Sequence, residues 1–175
     1  MFFKAVCCDI VNMETDAIVN AANSALLPGG GVCGAIFSAA GYSELQAACE
    51  KIGFCGVGNA VITNGFNLKA KYIVHTVGPI YQPGNMYQEM QLYNCYKNSL
   101  NIAQSNGIKS IAFPLISSGI YGYPKEEAIM IAVRAITEFL HNNDMEVYLV
   151  IYEKEDFNLC MRLLGEEYTK IGSVK

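Results

Sequence analysis

Apolar positions in this chain follow two periods. Runs of buried character recur at Phe2–Cys8, Ala17–Ala21, Gly58–Thr63, Tyr72–Val77, Ser110–Leu115 and Glu146–Tyr152. Several are nearly continuous, as in Tyr148-Leu149-Val150-Ile151-Tyr152, the pattern of strands covered on both faces. Between them apolar residues return every three or four positions. Leu92, Tyr96, Leu100 and Ala103 trace one helical stripe; Ala128, Ile131, Ala132, Ala135, Ile136 and Phe139 trace another. Gly107 stops the first helix, and Pro124 suits the opening turn of the second. Two shorter helices are expected over Gly31–Ala40 and Ser43–Ile52, broken at Gly41, and a last one from Glu155 to Tyr168. Strands alternating with helices predict a three-layer α/β/α domain with a largely parallel sheet. Ligands in such sheets sit at the carboxyl ends of the strands.

Two glycine-flanked loops fall at that edge. The first is Asn20-Ala21-Ala22-Asn23 running into Pro28-Gly29-Gly30-Gly31-Val32; the second runs from Pro114 through Ser117, Ser118, Gly119, Ile120 and Tyr121 to Gly122. Each links a strand to a helix, and a helix N-terminus presents unpaired N–H groups and a positive dipole end. Neither loop contains a basic residue, so main-chain amides are expected to grip a diphosphate, and the ligand to resemble a nucleotide. Gly29-Gly30-Gly31-Val32-Cys33-Gly34 also matches the dinucleotide fingerprint G-x-G-x-x-G. A Rossmann turn follows its strand directly, however, and here residues 23–28 intervene. No Gly-Lys-Ser/Thr follows the glycines, which argues against a P-loop.

Asn20 and Asn23 bracket two alanines at the end of a buried strand, and their amides suit sugar hydroxyls. Tyr121 and Tyr152 are natural stacking platforms. His75, in the middle of a strand, reads as structural. Cys33 and Cys49 lack a histidine or basic neighbour in sequence that would activate a thiol.

Composition narrows the function classes. With 52% hydrophobic and 16% charged residues, the 175-residue chain is expected to be one well-packed domain over 1–175 rather than disordered. The net charge of −4 argues against nucleic acid as a partner. No run is long enough for a membrane span or a leader peptide, so no membrane association is expected. Seven cysteines, an odd number without C-x-x-C, point to a reducing cytoplasm and, with two histidines, against a zinc site. No metal and no cofactor are expected, and the chain is expected to be a monomer.

Asp9-Ile10, Asn20-Ala21-Ala22-Asn23, Gly29-Gly30-Gly31-Val32, the segment Tyr72–Pro79 and Ser117–Gly122, in this order, resemble the macro domain family over nearly the whole chain. The resemblance implies a six-stranded mixed sheet between helices and a cleft for ADP-ribose. Family members read ADP-ribose or hydrolyse its esters, including ADP-ribosylated acidic side chains on proteins and O-acetyl-ADP-ribose. Carried over by motif, Asp9 accepts a hydrogen bond from the adenine amino group beside the Ile10 amide, and Tyr152 stacks on adenine. Gly30, Gly31 and Val32, with Ser117, Ser118, Gly119, Ile120 and Tyr121, enclose the diphosphate. Asn23 contacts the distal ribose, against which Tyr121 packs.

The catalytic candidates are therefore Asn23, Tyr121 and Cys33. Cys33 and Phe37 stand where many hydrolytic members carry Asp and His, whereas other members with Ala or Cys at the first position are still regarded as hydrolases. Cys8 replaces a usual glycine and Pro28 a usual small residue. The expectation is metal-independent ADP-ribosyl ester hydrolysis, with a reader module that only binds ADP-ribose as the alternative.

Overall fold

A computed structural model describes residues 2–165 and 168–170. Strands β1 (Phe2–Cys7), β2 (Ala17–Ala21), β3 (Ala60–Asn64), β4 (Tyr72–Thr76), β5 (Ser110–Pro114) and β6 (Glu146–Ile151) match the six apolar runs to within two residues. Helices α1 (Gly31–Ala40) and α2 (Tyr42–Ile52) follow β2, α3 (Gln88–Ser105) precedes β5, and α4 (Lys125–Leu140) and α5 (Lys154–Leu164) flank β6. A 3-10 turn, Ile10–Asn12, caps the end of β1, with the Asp9 carboxylate accepting from the Val11 amide at 3.2 Å.

The last helix is shorter than its apolar pattern suggested. It ends at Leu164 because Gly165 adopts φ +81°, and Tyr168 lies outside it. Residues 166–167 of that expected helix lie outside the described residues. A two-residue strand β7 (Thr169–Lys170) then pairs in parallel with β1 and extends the expected six strands to seven.

The sheet order is β3-β4-β2-β5-β6-β1-β7. Every described pairing is parallel except β3 with β4. Helices α1 and α2 pack on one face around Ile18, Ile36, Phe37 and Ile73. Helices α3, α4 and α5 pack on the other around Val19, Leu92, Tyr96, Phe113 and Ile136. All of these side chains are fully buried, and each such aliphatic or aromatic side chain stabilises the fold by about 1.5–3 kcal/mol.

The chain thus leaves β2 toward one face and β5 toward the other, so the two neighbouring strands form a topological switch point. Their pairing is confined to Ala17–Ile111 and Ile18–Ala112. Asp16 pins that end: its Oδ2 accepts from the Lys109 and Ser110 amides at 3.0 and 3.1 Å. At the carboxyl end no ladder bond joins β2 to β5, and there the cleft opens.

Candidate functional site

A cleft of about 730 Å³ lies along the carboxyl ends of β2, β5, β6 and β1. That volume is typical of a small-molecule site. Sheet order sets its axis. Asn23 and Cys33 follow β2, the 115–121 loop follows β5, Tyr152 follows β6, and Cys8 and Asp9 follow β1. Three strand spacings separate the β2 end from the β1 end, roughly 14 Å.

The first loop reaches the cleft as a close fold-back. A Cβ at Gly34 would stand 2.6 Å from the Gly29 carbonyl, so only glycine lets the loop lie on the first turn of α1. The opening amides of α1, those of Gly31, Val32 and Cys33, precede the first intrahelical bond, and all three residues line the cleft with Gly30. Asn23 stiffens the approach: its Nδ2 donates to the Leu27 carbonyl at 2.7 Å, and its Oδ1 accepts from the Leu27 amide at 3.0 Å. An amide side chain has two donors and two lone pairs, so one of each remains for a ligand.

The second loop is anchored from below by Tyr96 of α3. The buried Tyr96 hydroxyl donates to the Pro114 carbonyl at 3.4 Å and accepts from the Ile116 amide at 3.1 Å. Burial pushes this phenol well above its ordinary range, so it stays a neutral donor and acceptor. The chain then turns through Ser117 at φ +64°, with the Tyr123 amide bonded to the Ser117 carbonyl. Inside that turn the amides of Ser118, Gly119, Ile120 and Tyr121 bond to no other described group. The loops meet over the cleft, since a Cβ at Gly30 would come within 3.5 Å of Ile120 Cδ1, whose side chain is otherwise 86% exposed.

Charge in the walls is arranged against anions. Asp9, Glu153 and Asp156 line the β1–β6 end, and the one cation among the described lining residues, Lys125, is paired with Asp156 at 2.6 Å. Anion binding here has to come from the two rows of amides. Among the described residues no three metal-binding side chains come together.

Asp9, Ile10, Asn23, Gly30, Gly31, Val32, Cys33, Ser117, Ser118, Gly119, Ile120, Tyr121 and Tyr152 all line this cleft. Asn20 does not. It lies fully buried beneath it, because alternation along β2 turns its side chain toward α1. Its Nδ2 sits 3.1 Å from His75 Nδ1 and 3.7 Å from Cys33 Sγ, and His75 Nε2 lies 2.9 Å from Thr63 Oγ1. Burial lowers His75 to about 4, so the ring is neutral.

Cys33 is not an activated nucleophile. Burial pushes its thiol up, against smaller opposing hydrogen bonds from Asn20 and Gly29, and Sγ lies 3.8 Å from the Leu27 carbonyl. Phe37 is in the core, edge-on to Tyr42 at 5.8 Å, and does not line the cleft. Sequence periodicity placed Tyr96 in the helical core but did not reveal its bonds to the loop. Its signal, a tyrosine on an otherwise aliphatic stripe, is visible only in retrospect.

Amide-lined loops on opposite faces of a switch point define an α/β domain that binds nucleotide-like anions. The Macro domain family model matches residues 19–132, and the chain belongs to the macro domain family. It is 47% identical over 165 residues to an O-acetyl-ADP-ribose deacetylase of Escherichia fergusonii, covering 91% of this chain and 93% of that protein. It is 52% identical to a macro domain-containing protein of Methanosarcina mazei, over 90% of this chain and 85% of the other. A mutant Oceanobacillus iheyensis macrodomain solved with ADPR superposes with a TM-score of 0.86 at 41% identity, over 91% of this chain and 90% of that one.

Proposed function

We propose that this protein binds ADP-ribose and hydrolyses its esters, with O-acetyl-ADP-ribose and ADP-ribosylated acidic side chains as the substrate classes. The observation that carries the reading is the pair of facing amide rows, Gly30–Cys33 and 118–121, in a cleft whose side-chain charge is acidic. A ligand with a central diphosphate can use both rows at once. Adenine then occupies the end with Asp9, Ile10 and the exposed Tyr152 ring, and the distal ribose the end with Asn23 and Tyr121. The relatives named as deacetylases support the ester chemistry.

Among the described residues the β2 end offers no side-chain base: Cys33 is a neutral thiol, and Phe37 is a phenyl ring held in the core. Water is therefore activated by the ligand's own phosphate. Water attacks the ester carbonyl and passes a proton to that phosphate. The bond between carbonyl carbon and ribose oxygen breaks, the ribose oxygen takes up the proton as a hydroxyl, and the carboxylic acid departs. Asn23 fixes the ribose meanwhile, and the amide rows hold the phosphate in place. Asn23→Ala should lower turnover about 100-fold, the scale of a lost positioning contact, while ADP-ribose affinity changes only a few-fold. Turnover equal to wild type removes Asn23 from the mechanism.

The same neutral thiol and buried phenyl favour a second reading, a module that binds ADP-ribose without cleaving esters. Calorimetry with ADP-ribose beside hydrolysis of both substrates separates the two. Seven free cysteines support residence in a reducing compartment such as the cytoplasm, and no described helix is long and apolar enough to cross a membrane.

A further inference from the structure

One strand beyond β2, over the carboxyl end of β4, lies a second hollow of about 290 Å³. It is walled by Ser24, Val57, Ile80, Gln82, Gln91 and Tyr121, among others. Tyr121 belongs to both the hollow and the cleft, and Ser24 adjoins Asn23. Sheet order therefore sets the hollow beside the cleft, one strand spacing of ~4.8 Å past the distal-ribose end.

The hollow is preformed. The Tyr81 amide donates to the Tyr121 carbonyl at 2.8 Å, tying its rim to the second loop. Gln88, only 3% exposed, donates to the Ile80 carbonyl at 2.8 Å and accepts from the Gln82 amide at 3.1 Å. Two large apolar side chains of its wall nonetheless face solvent: Val57 is 43% exposed and Ile80 61%. Exposed apolar residues gathered around one concavity mark a contact surface.

No described wall residue of the hollow is charged, whereas the opposite end of the cleft carries Asp9 and Glu153 beside the Lys125–Asp156 pair. A polypeptide esterified through one of its carboxylates, and acidic around it, meets no like charge here. At the other end it meets the carboxylates of Asp9 and Glu153, unpaired among the described residues. An acetyl group needs almost none of this space. Amide side chains at 82 and 91 suit peptide groups, and the apolar rim suits neighbouring side chains.

We infer that this hollow docks the polypeptide flanking an ADP-ribosylated carboxylate, so that protein conjugates are recognised beyond the ADP-ribose itself. The inference rests on the ester-hydrolase reading above. It is tested with two substrates, a synthetic peptide carrying one ADP-ribosylated glutamate and O-acetyl-ADP-ribose, on wild type, Ile80→Glu and Gln82→Glu. Both substituted positions are exposed, so folding is preserved, which thermal melting checks. The expected result is a fall in kcat/KM of about tenfold for the peptide, with O-acetyl-ADP-ribose turnover and ADP-ribose Kd unchanged. Equal peptide kcat/KM in wild type and both variants overturns the inference, as does a parallel loss on the small substrate. Wild-type protein that cleaves O-acetyl-ADP-ribose but not the peptide overturns it while leaving the hydrolase reading intact. Wild-type protein that cleaves neither substrate, whether or not it binds ADP-ribose, overturns the hydrolase reading and this inference with it.

Discussion

Gly78→Ala is the substitution from which the cleft geometry makes the strongest demand. Gly78 follows β4 and backs onto the second loop. A Cβ there would stand 2.1 Å from Ser117 Oγ and 2.7 Å from Ile116 Cγ2, against ordinary contacts of about 3.5–4 Å. Neither neighbour can yield easily. Ile116 is fully buried with its amide bonded to Tyr96, and Ser117 is 7% exposed in a left-handed turn at φ +64°. Overpacking of this kind costs about 1–3 kcal/mol of stability. The loop relieves it by moving about an ångström, which misaligns the amides at 118–121. Hydrogen bonds to a charged group contribute about 1.5–3 kcal/mol each, so losing two weakens ADP-ribose by roughly 10²–10⁴-fold. Thermal melting and calorimetry with ADP-ribose measure both effects.

Adding Ser117→Gly removes the 2.1 Å contact and the positive-φ strain but leaves the Ile116 contact. The double variant should therefore recover part of the loss, with a coupling of about 1 kcal/mol or more. Wild-type melting and affinity in Gly78→Ala would refute the argument that this glycine sets the loop.

Cys33→Ala should keep ester turnover within about threefold and cost about 1 kcal/mol of stability as a small cavity; a hundredfold loss of turnover would make the thiol catalytic after all. His75 takes its proton near 6.5 when unfolded but only at about 4 when folded, because burial disfavours the charged ring. The unfolded state thus binds more protons between those values, and stability falls as pH drops from 6.5 to 4, by about 3 kcal/mol from this group. Urea melts across that range should show a shallower slope in His75→Gln, and equal slopes would contradict the assignment. Tyr152→Ala, at an exposed position, should leave melting unchanged and weaken ADP-ribose by about 1–3 kcal/mol, the scale of a base–aromatic stack; an unaltered Kd would move the base elsewhere.

Periodicity located every strand from β1 to β6, and turn residues both glycine loops, because period and turn chemistry are local properties of a backbone. It misplaced the end of α5, where one glycine φ outweighed an apolar pattern that ran on. Thirteen of the fourteen named residues line one cleft, and Asn20 lies buried beneath it. Asn20 and Asn23 look equivalent in sequence, yet strand alternation buries the first and the loop bend exposes the second.

What the sequence determined by itself was the alternation of elements, the supply of free amides and the shortage of cations among them. Tertiary structure alone decided that β2 and β5 separate at their carboxyl ends, that Tyr96 holds the second loop from the far helix, and that Cys33 stays a neutral thiol. It also set the second hollow beside the first, over β4. Each of these depends on residues tens of positions apart meeting across the sheet. Burial and partnership, which set pKa values and aim side chains, exist only once those residues have met.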